Sequence, residues 1–156
     1  MQVQEVMNRA IRSVGADTKV MEVASIMCLY RIPGIPVVED DGKLAGIIAE
    51  KDVLHALFPT LESLMEEGMG NVDLDKQIDK YKDILAMRVS DLMTRNPITV
   101  FPDMHVLRAA SIMVRNRFRR IPVVGDTGIL VGMLSLGDVH KAIFHLSIAR
   151  GKPSGG

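Results

Sequence analysis

Two stretches decide how this chain is read: IPVVEDDGKLAG, beginning at Ile35, and IPVVGDTGILVG, beginning at Ile121. They lie 86 residues apart. Sliding the chain by that offset also superposes ASIM at Ala24–Met27 on ASIM at Ala110–Met113. Met7 then falls on Met93, Arg9 on Arg95, Val14 on Val100, Asp17 on Asp103 and Val20 on Val106. Downstream, Asp52 and Val53 fall on Asp138 and Val139. About 21 of 50 positions from Met7 are identical without a gap, far above chance, so the chain contains a duplication. Two copies make a pair of units rather than a solenoid.

Within each copy the pattern alternates between helix and strand. Asp17 and Asp103 are the expected N-caps, because a carboxylate accepts from unpaired N–H groups at a helix start. Apolar residues follow at helical spacing: Val20, Val23, Ala24 and Met27, then Val106, Ala109, Ala110 and Met113. Ile35–Val38 and Ile121–Val124 read as buried strands. Asp40-Asp41-Gly42 and Asp126-Thr127-Gly128 are turns, with glycine supplying positive φ. Leu44–Ile48 and Leu130–Leu134 return as strands, and helices are expected from about Asp52 and Asp138. Ile11–Val14 and Ile98–Phe101 each suit a short opening strand. The predicted class is therefore α+β, with two β-α-β-β-α units at residues 1–58 and 88–150. Residues 59–87 join them. This connector is acidic, is broken near Gly68, Gly70 and Asn71, and reads as two helical pieces, the second at Asp75–Leu85. It is either a solvated linker or a docking surface. Residues 151–156 are Gly, Lys, Pro and Ser and are expected to be disordered.

Bulk properties narrow the function. The 156 residues carry 19 basic and 19 acidic side chains and 47% hydrophobic residues, the profile of a globular protein. A neutral chain does not coat nucleic acid with its whole surface. The start lacks a secretory signal, and the longest apolar stretch falls well short of the ~20 residues that span a bilayer. A cytoplasmic protein without membrane insertion is expected. Cys28 stands alone, so no intrachain disulfide forms. His55, His105, His140 and His145 are scattered and make no metal-binding spacing. No nucleophile motif, P-loop or dinucleotide fingerprint is present, so no catalytic residue, catalytic cofactor or metal is assigned.

Each copy resembles a cystathionine-β-synthase-type (CBS) domain, and the pair resembles a tandem CBS module over about Val6–Ala56 and Val89–Phe144. The resemblance implies units packed sheet to sheet with pseudo-two-fold symmetry. It also implies two clefts that take adenosine-containing ligands, homodimerisation, and a regulatory rather than catalytic role. Gly132-Met133-Leu134-Ser135-Leu136-Gly137-Asp138 resembles the family's ligand motif. There a strand ends and a helix begins, so N–H groups and the positive dipole end are available to an anion. Asp138 could grip the vicinal hydroxyls of ribose, and Ser135 a ligand oxygen. Ser-x-x-Asp also fits a plain capping box needing no ligand. Arg119 and Arg120 stand just before the second strand, where the resemblance implies phosphate contacts, and their guanidinium forks suit them. A solvated helix end explains the same run, Arg115 to Arg120, equally simply. Ile98, Thr99, Ile121, Pro122 and Val123 are candidates for the adenine slot, with core packing as the alternative.

The first copy departs from the motif. Asp52 remains, but Ala49 replaces the hydroxyl, Glu50 adds negative charge, and Pro33 and Gly34 replace the two arginines. Arg12 and Ser13 stand where Ile98 and Thr99 do. Asp52, Ile35 and Val37 would line a weaker site, by up to about 100-fold. The expected ligand is AMP, ADP or ATP, with S-adenosylmethionine less favoured because the arginines suit phosphate. A module that binds no ligand and docks a partner enzyme or transporter is the alternative.

Overall fold

The structure is a computed structural model that describes residues 1–57 and 74–151. The connector's first half and residues 152–156, where the first helical piece and the disordered tail were expected, lie outside the described residues. Two compact units emerge, Arg12–Pro97 and Met1–Ile11 with Ile98–Gly156, called here the first and second unit.

In the first unit, α1 (Val20–Tyr30) buries Val20, Val23 and Met27 along one face. It ends on Arg31 in the left-handed region, φ 54°, whose N–H donates to Met27 O. Next comes a hairpin of β1 (Gly34–Val38) and β2 (Leu44–Ala49), antiparallel, with Ile35 opposite Ile48. Its turn relies on Gly42 at φ 87°. α2 (Glu50–His55) follows, then α3 (Leu74–Leu85), α4 (Val89–Leu92) and β3 (Thr94–Arg95). β3 adds to the free edge of β2, giving the order β1-β2-β3. The core gathers Val20, Val23, Met27, Ile35, Val37, Ile48, Val53, Ile84, Val89 and Met93. α3 is the expected second connector helix, and it also serves this core: Ile84 is buried, and Tyr81 and Leu85 pack against it. Burial pushes the Tyr81 phenol above its ordinary range, and neighbouring Cys28 adds to the shift.

The second unit repeats the scheme. α5 (Val106–Asn116) buries Val106, Ala109 and Met113 and ends on Arg117 at φ 59°. β4 (Arg120–Val124) and β5 (Leu130–Ser135) form the hairpin, with Gly128 at φ 82° in its turn. α6 (Leu136–Gly151) closes the chain, so Gly151 is helical. The opening strand of each unit shrinks to one bridged residue: Val14 beside Val37 and Val100 beside Val123, both parallel.

The cores reveal something the repeat boundaries do not. Val3 and Met7 belong to the second unit's core, and Val89 and Met93 to the first unit's. Each unit is thus completed by the segment that precedes the other copy in sequence. The backbone bonds are the same at both places. Val3 N donates to Met104 O, Gln4 N to Pro102 O, and Val106 N to Met1 O. In the other unit Val89 N donates to Thr18 O, Ser90 N to Ala16 O, and Val20 N to Met87 O. Each pair is shifted by the same 86 residues, so the duplication reaches upstream to Met1 and Met87.

This crossing corrects the expected N-caps. The helices begin at Val20 and Val106, with Lys19 and His105 at the cap positions, not Asp17 and Asp103. Turns closed by Thr18 N to Gly15 O and Met104 N to Phe101 O hold those aspartates two residues upstream of the caps. His105 Nδ1 instead accepts from Leu107 N at 3.1 Å.

Candidate functional site

The second unit brings most of the motif residues to one end of its hairpin. Arg120 lies directly opposite Ser135 in the β4–β5 register. Leu136 N donates to Arg119 O at 2.9 Å, fixing the first turn of α6 against the start of β4. Val100 N donates to Pro122 O and Val124 N to Val100 O, so Ile98 and Thr99 run alongside the beginning of β4. One strand end therefore carries Ile98, Thr99, Arg119, Arg120, Ser135 and Asp138.

Their environments differ. Ser135 Oγ accepts from Asp138 N at 3.0 Å, so the serine half of a capping box is made. The hydroxyl keeps its proton to donate. The Asp138 carboxylate makes no hydrogen bond or ion pair with any described residue, and it is exposed. Arg119 and Arg120 are exposed and likewise unpaired among the described residues. α6 is 16 residues long, and its N-terminal end lies where these cations gather. Ile98 is 45% exposed, an apolar surface beside charged groups. Ile121, Pro122 and Val123 are buried; the side chains of Ile121 and Val123 belong wholly to the core and offer a ligand no surface. Two guanidiniums, groups that suit an anion, and one carboxylate, a group that accepts from hydroxyls, are thus exposed toward this end of the hairpin.

The first unit differs at the charged and capping positions. Gly34 pairs with Ala49, and Glu50 N donates to Pro33 O. No cation stands at positions 33 and 34, and Glu50 is exposed. Asp52 is engaged locally: its Oδ2 accepts from Ala49 N at 2.8 Å, and its Oδ1 accepts a longer bond from Thr94 Oγ1 at 3.5 Å. Ile35 and Val37 are wholly core. Sequence reasoning missed Thr94, because it reaches Asp52 only through the crossing segment. The available signal was the pairing of Met93 with Met7 at the repeat offset.

The residues set aside in sequence stay apart. Among the described residues no group of three His, Cys, Asp or Glu could hold a metal ion. Cys28 is exposed, and His145 packs edge-on to Phe144 at 5.9 Å. No helix among the described residues is long and apolar enough to cross a membrane.

Comparison with known proteins agrees with the fold. The chain is 32% identical over 154 residues to an uncharacterised protein of Methanocaldococcus jannaschii, MJ1426, covering 92% of this chain and 91% of that protein. It is 30% identical over 148 residues to inosine-5'-monophosphate dehydrogenase of the same organism, covering 95% of this chain but 25% of the enzyme. The crystal structure of CBSX2 from Arabidopsis thaliana in complex with AMP superposes with a TM-score of 0.73. There the identity is 26%, over 94% of this chain and 98% of that one. Residues 3–59 and 89–145 each match the CBS domain, and the chain belongs to that family as a tandem pair of CBS domains.

Proposed function

We propose that this chain is a regulatory module that binds an adenine nucleotide at the second unit's strand end and carries no catalysis of its own. The observation that supports this most is the unengaged Asp138 carboxylate at the same hairpin end as two unpaired arginines. In this reading Asp138 accepts from the ribose hydroxyls. Arg119 and Arg120 meet phosphate, the Ser135 hydroxyl donates to it, and Ile98 and Thr99 border the base. The AMP bound by the related CBSX2 supports the ligand class. A phosphate-bearing ligand suits the arginines better than S-adenosylmethionine does. Binding favours one population of the module, which a partner enzyme or transporter reads. The match to one quarter of a dehydrogenase fits such a role beside an enzyme.

Homodimerisation belongs to the same proposal. Met21 and Leu107 occupy equivalent places on α1 and α5, and both are exposed; so are Leu29 and Val114. Light scattering coupled to gel filtration should return twice the chain mass.

Thermal unfolding with added nucleotide tests the ligand. At 100 times its dissociation constant, the right one stabilises by about 2.7 kcal/mol. No shift with millimolar AMP, ADP, ATP or S-adenosylmethionine would leave a ligand-free docking module as the reading.

A further inference from the structure

The same register that places Ile98 in the second unit places Arg12 in the first. Val14 N donates to Pro36 O and Val38 N to Val14 O, matching the bonds of Val100. Arg12 and Ile98 are therefore equivalent in space as well as in sequence. Their surroundings are not. The Arg12 guanidinium lies over the Tyr30 ring, 3.4 Å from its centroid. Tyr30 is the last residue of α1 and is 52% exposed. At the matching end of α5 stands Asn116, whose Nδ2 donates back to Ile112 O at 2.8 Å. Asn116 is tied to its own helix and supplies no ring at the place that Tyr30 holds in the first unit.

We propose that Arg12 is a built-in occupant of the first unit's site, covering the Tyr30 ring on which a ligand's base would otherwise stack. The inference builds on reading the second unit's strand end as a nucleotide site. A planar guanidinium on an aromatic face takes the same position that a purine would take. The ligand class that it displaces is an uncharged purine nucleoside. Positions 33 and 34 supply no cation for phosphate, and Glu50 repels one. The Asp52 oxygens retain a lone pair each for a sugar hydroxyl beyond the bonds from Ala49 N and Thr94. Arg12 is thus a specificity-determining residue: it keeps the pair of domains responsive at one unit only. Both partners lie outside the buried core, so replacing either leaves the fold intact.

A methyl-resolved NMR titration with adenosine reads the two units separately, at Ile35 and Ile47 for the first and at Ile98 and Ile121 for the second. The Arg12→Ile variant, which restores the second unit's residue, should bind adenosine at the first unit about 2- to 30-fold more tightly than the natural chain. Tyr30→Phe, which keeps the ring, should bind as the natural chain does. First-unit curves for Arg12→Ile that superpose on those of the natural chain, or show no response, would overturn the proposal. So would a Tyr30→Phe variant that behaves like Arg12→Ile, because the hydroxyl and not the stack would then matter. A parallel titration of the natural chain with AMP, read at Ile98 and Ile121, tests the nucleotide site of the second unit independently.

Discussion

Asp52 and Asp138 hold the same place in the two copies, three residues past the last strand residue, yet they face opposite situations. Asp52 closes a bond to Ala49 N and receives Thr94 from the crossing strand. Asp138 has a serine at the cap position, whose hydroxyl accepts the helix N–H from the other direction and leaves the carboxylate unused. One substitution, alanine for serine at the cap, thus goes with an aspartate turned to local structure. The neighbouring positions agree: arginines at 119 and 120 against proline and glycine at 33 and 34. A duplicated fold needs both copies for its core, but the ends of its hairpins can diverge, because few core contacts depend on them.

The largest expected effect probes where the units close rather than where they bind. A Cβ at Gly46 would sit 2.5 Å from Thr94 O, a backbone atom held in the sheet. At Gly132 it would sit 2.6 Å from Met7 Sδ, a flexible side-chain atom, and 3.1 Å from Asn8 O. Gly46→Ala should destabilise by about 3 kcal/mol and Gly132→Ala by about 1 kcal/mol, read from urea midpoints. Equal losses would show that the two crossings are held alike.

Next comes binding. Asp138→Ala should weaken nucleotide affinity by about 1.5–3 kcal/mol, whereas Asp52→Ala should leave it nearly unchanged. Isothermal calorimetry giving the reverse order would move the working site to the first unit. Asp52→Ala should instead lower stability by about 1 kcal/mol, because Ala49 N loses its acceptor; Asp138→Ala should leave the melting temperature of the ligand-free chain unmoved. The smallest effect falls where the units should not differ. Arg31 and Arg117 both end their helices at positive φ, 54° and 59°. Arg31→Gly and Arg117→Gly should each stabilise by up to about 1 kcal/mol, by matching amounts, in thermal denaturation.

Much of this was legible from residue order. The offset of 86 residues, the two hairpins with their turn glycines, and the buried faces of α1 and α5 all follow from local periodicity and turn chemistry, which act over a few residues. The divergence at 33–34 against 119–120 is likewise plain in the letters. Other features required the folded chain. Which unit Val3, Met7, Val89 and Met93 complete is a long-range choice, made by backbone edges that no short window displays. Asp17 and Asp103 looked like caps because capping is a local rule, and a tertiary crossing moved the helix starts past them. Whether Ile121 and Val123 face a ligand or the core was open in the residue order, because an apolar strand residue faces core or surface according to what packs on its sheet. Thr94 reaching Asp52, and Arg12 reaching Tyr30, join residues far apart along the chain; side-chain bonds of that kind exist only once the backbone has brought their ends within a few ångströms.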